Sequence, residues 1–163
     1  MKILLRILLS VALIVWLGAE IFFPIVAATT FQTLRPDTHT AGSIVGHLLR
    51  ILHGMGLVAG SAALLALALA PAAGLYRPRA VVAPMLLLAA MLAATVYSQF
   101  SMIPAMERDR VAAGGAIDTA NPANPVTIHF QRLHQRSERV EGAILLCGLA
   151  VVVLLAWAET ARP

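Results

Sequence analysis

Charge is what this sequence has least of. Asp, Glu, Lys and Arg make up 12% of its 163 residues, against roughly 25% in an ordinary soluble domain. With a mean hydropathy of +0.84, that scarcity excludes a disordered chain and argues against a water-soluble domain. The single cysteine excludes an intramolecular disulfide framework and a cysteine-built zinc site. Nine prolines and eleven glycines without a period exclude a collagen-like or low-complexity chain. No glycine-rich phosphate loop, nucleophile elbow or His-Glu-x-x-His helix occurs, so a soluble-type active site has no support. No nucleic-acid motif is present, and no aromatic residues interleave with the basic ones. The formal charge of +4 therefore points to anionic lipid headgroups and not to nucleic acid.

What the chain has is long apolar runs. A membrane span needs about 20 mostly apolar residues, and four stretches approach or meet that length: residues 7–28, 51–73, 80–103 and 142–158. No water satisfies backbone amides inside a bilayer, so each span should be a helix. The expectation is an all-α integral membrane protein, a four-transmembrane-helix bundle forming one domain over residues 1–163, with a long outer loop between helices three and four. The start, with Lys2 and Arg6 before an apolar run, resembles a secretory signal. That run is long, however, and holds Trp16, Glu20 and Pro24, so it reads as a retained first helix.

Orientation follows from short-loop Lys and Arg. Lys2, Arg6, Arg77, Arg79 and Arg162 fall on one side, taken as cytoplasmic. Arg35, Arg108, Arg110, Arg132, Arg136 and Arg139 fall on the other, where Glu107, Asp109, Asp118 and Glu138 dilute them. The expected placement is the bacterial inner membrane with both termini cytoplasmic. Pro104 opens a short helix to Val111. Gly114, Gly115 and the pairs Asn121-Pro122 and Asn124-Pro125 are turn material. Residues 40–50 and 127–138 extend helices two and four outward.

The informative residues are the polar ones that a membrane penalises. Glu20 lies well inside helix one, four residues after Trp16 and so on the same face. A carboxyl at mid-membrane costs about 2.5–3.5 kcal/mol, so Glu20 should face protein, either as a structural partner of Arg50, His53 or a hydroxyl, or as a ligand- or proton-handling group. On helix four, Phe130, His134, Ser137 and Glu141 lie within about 60° of one another. Arg132, Arg136 and Arg139 form an opposed stripe suited to water and headgroups. All four helices bring polar side chains to one outer level, which suggests an outer polar pocket built from Glu20, Arg50, His53, Ser101, His134, Ser137 and Glu141.

Other spacings are weaker. His47 and His53 sit about 120° apart, too far round to share a metal without a bend. Met102 and Met106 have the spacing of a soft copper site, although methionine is more often flexible packing. Gly42/Gly46 and Gly56/Gly60 match the small-xxx-small pattern of close helix packing and read as contacts within the bundle. Cys147 reads as inert packing.

Three markers in order then resemble a known membrane family. Trp16-Leu17-Gly18, Ile21-Phe22-Phe23-Pro24 and Phe31-Gln32-Thr33-Leu34 form the first. Ile103-Pro104-Ala105-Met106 with Arg108 and Arg110 is the second. Phe130-Gln131-Arg132-Leu133-His134-Gln135-Arg136-Ser137 is the third and looks like a Phe-xx-Leu-His-xx-Ser element. The chain resembles the transmembrane protein 205-like family, whose bacterial members form domain of unknown function 4149. Trp16, Gly18, Pro104, Arg108, Phe130, His134 and Ser137 match its pattern, while Glu20 and Arg50 stand outside it. The resemblance implies a four-span fold and a role near export or trafficking. The Trp-Leu-Gly helix is more distantly similar to copper-resistance D proteins and haem-binding protoporphyrinogen oxidases, which would make His53 or His134 a haem or copper ligand.

The leading functional reading is a non-enzymatic membrane protein whose outer pocket binds a small ligand or cation or aids its passage, with no cofactor expected. A homo-oligomer fits such a role, because four helices are few for a transporter. A haem or metal protein and a structural or assembly partner in a membrane complex are the alternatives.

Overall fold

The computed structural model of the chain describes residues 1–115, 117 and 120–160. Asp118 and Arg162, used above for loop charge, lie outside the described residues. The elements are α1 (Lys2–Thr33), α2 (Thr38–Leu69), α3 (Pro78–Tyr97), α4 (Ile103–Ala112) and α5 (Pro125–Thr160). No strand occurs among the described residues. A π-helical turn, Ser98–Met102, joins α3 to α4, so that Pro78–Ala112 runs as one rod. Pro104 in the first turn of α4 has no N–H to give to the preceding turn, and a π-turn is one way a helix absorbs that break. The four rods are each long and apolar enough to cross a membrane, and the chain is a multi-pass membrane protein.

The helix ends follow local chemistry. Asp37 caps α2: its Oδ1 accepts the Thr40 amide at 2.9 Å and its Oδ2 accepts the Thr40 hydroxyl at 2.6 Å. Asn124 Oδ1 accepts the Val126 amide at 3.0 Å and caps α5. The second apolar run continues to Ala73, but α2 stops at Leu69. Pro71 cannot donate to the helix, and Gly74, at φ +65°, turns the chain in the left-handed region that glycine tolerates. The extensions foreseen around residues 40–50 and 127–138 are helical, as is the short segment after Pro104.

α1 and α2 form the closest pair, α3 packs on both α2 and α5, and the α1–α5 side is the loosest of the ring. The half of the bundle near the chain termini is dense. Trp16, Leu67, Leu88, Met91, Ile144 and Val151 are almost wholly buried there. Small residues allow that density. A Cβ on Gly56 would come within 2.6 Å of Trp16 Nε1, one on Gly60 would collide with the Trp16 ring, and one on Gly148 would collide with Leu17. Gly46, by contrast, has nothing near it. The Gly56/Gly60 pair is thus a packing device, and Gly42/Gly46 borders open space. Arg6 pairs with Glu159 at 3.5 Å, and the Tyr76 hydroxyl donates to Glu159 at 3.2 Å. The first turns of α1, the last turn of α5 and the α2–α3 turn therefore meet at one end of the bundle. Ile14, Phe22, Val58, Leu86 and Val153 are exposed on its flanks, as lipid-facing side chains should be.

Candidate ligand cavity

Toward the other end, where the α1–α2 and α4–α5 connections lie, the rods separate around a cavity of about 860 Å³. α1 contributes Glu20, Phe23, Pro24 and Phe31; α2 contributes Gly42, Gly46, Leu49 and Arg50; α4 contributes Met106 and Arg110; α5 contributes Phe130, His134, Ser137, Glu141 and Leu145. Gly42 and Gly46 widen it by having no side chain. Most of its wall area is apolar, with polar and charged side chains set into it, a combination found in small-molecule sites.

The closed end is a polar layer drawn from every rod. His53 on α2 is fully buried. Its Nε2 lies 2.9 Å from Glu141 Oε1 on α5, and its Nδ1 lies 3.1 Å from Gln99 Oε1 on the π-turn. These contacts suit an imidazolium that donates at both nitrogens, and equally a neutral ring once the Gln99 amide is turned over. The Ser98 hydroxyl donates to the same Glu141 oxygen at 3.1 Å. The other one, Glu141 Oε2, is buried with no hydrogen-bond partner. Glu20 is 5% exposed and accepts from Trp16 Nε1–H at 3.2 Å, within electrostatic reach of Glu141 and His53. It faces protein and not acyl chains, and its partner is the indole and not Arg50.

The residues singled out from the sequence divide accordingly. Glu20, Arg50, His134, Ser137 and Glu141 border the cavity, and His53 lies directly behind Glu141. Ser101 does not belong: it is exposed, while Ser98 is buried. The reason is helical phase. Val81, Pro84, Leu88, Met91, Thr95, Ser98 and Met102 are the buried stripe of that rod, alternating steps of three and four, and Ser101 falls off it. The same stripe read from the sequence would have chosen Ser98. Gln99 carried no signal, since an uncharged amide near a helix end is unremarkable by composition.

His134 is a rim residue. It stacks on Phe130 with ring centroids 6.1 Å apart and lies 3.4 Å from Glu138. The two proposed metal ligands, His53 and His134, thus bond to different partners. No three His, Cys, Asp or Glu side chains among the described residues converge to hold a metal ion. Of the remaining pattern residues, Trp16 is the indole bonded to Glu20, Gly18 is exposed with open space around it, Pro104 opens α4, and Arg108 is exposed. His129 Nδ1 meets Asp109 Oδ2 at 2.7 Å and ties α4 to α5.

No curated protein and no solved structure matches this sequence. A family profile does: the one described as "Domain of unknown function (DUF4149)" matches residues 11–113, which take in Trp16, Glu20, His53, Ser98 and Gln99.

Proposed function

This chain belongs to the DUF4149 family, and from that premise we propose that it captures a small organic cation in the cavity between α1, α2, α4 and α5. One observation carries the reading. Two glutamates, Glu20 and Glu141, stand together at the closed end of the cavity, and one of their oxygens is buried without a donor. An unsatisfied buried acceptor costs about 1–3 kcal/mol; that oxygen has almost no accessible surface, so an ammonium in the cavity would relieve the cost by drawing the Glu141 carboxyl round toward the space it borders. Beyond the polar layer the bundle is close-packed around Trp16, Leu88 and Met91, so the cavity is a dead end. Capture and release at one mouth describes it better than a pore.

The placement that goes with this reading is a cell membrane with both termini cytoplasmic and the mouth outside, supported by Lys2, Arg6, Arg77 and Arg79 at the terminal end. Kinship with transmembrane protein 205 extends the reading to α5, where Phe130, His134 and Ser137 border the cavity. The test is calorimetric titration of the purified protein in lipid nanodiscs with 4-methylbenzylamine. Binding should be saturable and should fall at least tenfold in Glu20→Gln/Glu141→Gln. Equal heats from the two proteins would sink the proposal.

A further inference from the structure

Besides three histidines, six carboxyl or guanidinium side chains border the cavity: Glu20, Arg50, Glu107, Arg110, Glu138 and Glu141. Five have partners. Arg110 pairs with Glu107 at 2.8 Å, Glu138 with His134 at 3.4 Å, Glu141 with His53 at 2.9 Å, and Glu20 accepts from Trp16. Arg50 makes no hydrogen bond or ion pair among the described residues. It lies at the start of the apolar part of α2, between Leu49 and Ile51, where a charged side chain ordinarily finds a counter-charge. The carboxyls of the closed end bond elsewhere, Glu20 to the indole and Glu141 to His53. The cavity therefore keeps a free guanidinium on its wall and two carboxylates at its floor, without letting them neutralise each other.

We propose that Arg50 receives the anionic group of a zwitterionic ligand whose ammonium rests on Glu20 and Glu141. This inference rests on the cation-capture reading and narrows it to a substrate class, ammonium–carboxylate zwitterions with an apolar body. Arg50 precedes His53 by three residues, so it stands about 4.5 Å nearer the mouth along α2, and the arginine fork suits a carboxylate. The span is that of a compact molecule lying along the cavity, with its middle against Leu49, Phe23 and Leu145. A phospholipid headgroup with the same two charges does not fit this polarity. Its ammonium could reach the floor only if its acyl chains pointed back toward the mouth and water. The ligand is therefore a free solute.

Three probes built on one ring test this: 4-(aminomethyl)benzoate, 4-methylbenzylamine and 4-methylbenzoate, titrated calorimetrically into the full chain in phosphatidylcholine nanodiscs. The zwitterion should bind at least tenfold tighter than the amine, and the carboxylate should bind weakest. Arg50→Gln should lower zwitterion affinity to the level of the amine and leave the amine unchanged, with Arg50→Lys in between. Arg50 is not covered by other side chains of the bundle, so these variants should fold, and an unchanged thermal midpoint verifies it. If the amine and the zwitterion bind alike to the unmodified protein, or if Arg50→Gln weakens both equally, the zwitterion assignment is wrong while cation capture stands. If no probe binds, both fall.

Discussion

A single oxygen, Glu141 Oε1, takes hydrogen bonds from α2 through His53 and from the π-turn through Ser98, and so holds three rods in register. Glu141→Gln keeps an acceptor at that point and should leave the thermal midpoint nearly unchanged, which makes it usable in binding assays. Glu141→Leu strands the His53 and Ser98 donors in a buried layer and should cost about 1–3 kcal/mol, measurable by thermal unfolding in detergent. A midpoint for Glu141→Leu as high as that of Glu141→Gln would show that the layer contributes nothing to the bundle. Much of this site was readable beforehand, because the membrane assigns a cost to each charge. Glu20, His53 and Glu141 stood out as residues that hydrocarbon would reject. Ser98 and Gln99 carry no charge and pass that filter unnoticed, and Ser101 was chosen by depth without regard to which way its helix turns. Arg50 was readable as a cavity residue and was one of three partners weighed for Glu20; the bond is made instead by the indole four residues earlier, on the face that the spacing had already assigned to both.

The helices were legible from their apolar runs, the start of α4 from Pro104 and the turn before α5 from the Asn-Pro pairs, while the Asp37 cap went unread. The π-turn was not, because one residue of register leaves no compositional trace. Two glycine pairs of identical pattern have opposite surroundings, and substitution should separate them. Gly60→Ala drives a methyl into the Trp16 ring and should lower stability by about 1–3 kcal/mol. Gly46→Ala meets nothing and should be neutral or slightly stabilising, since alanine is the better helix former. Comparing the unfolding midpoints of the two variants decides it. The α2 cap should also respond to acid. Hydrogen bonds from the Thr40 hydroxyl and amide hold the Asp37 carboxyl below its ordinary pKa of 3.8. A carboxyl lowered in the folded state adds stability that is fully present above its unfolded pKa and is lost as pH falls through the folded one. The stability gap between the unmodified protein and Asp37→Asn should be constant from neutrality down to about pH 5 and close below pH 4. A gap that persists unchanged at the lowest pH would remove the ionised cap from the account.

At the scale of the molecule, the four rods are unevenly fastened. The terminal end is fastened by Trp16 against Gly56 and Gly60 and by Arg6 and Tyr76 on Glu159, and the opposite end holds the cavity. Since Arg6 and Glu159 touch, reporter tags at the two termini should report from the same side of the membrane, and protease protection in sealed vesicles of known sidedness checks this. Tags found on opposite sides would be incompatible with the fold. Rod length carries a further consequence. α1 and α2 have 32 residues each and α5 has 36, roughly 50 Å of helix around a hydrocarbon slab of about 30 Å. If the rods are centred near their apolar stretches, the surplus on α2 and α5 projects beyond the bilayer as a collar around the opening. Solutes then arrive by diffusion through water and not by dissolving first in lipid, so capture should track the aqueous concentration of a molecule and be indifferent to how well it partitions into oil.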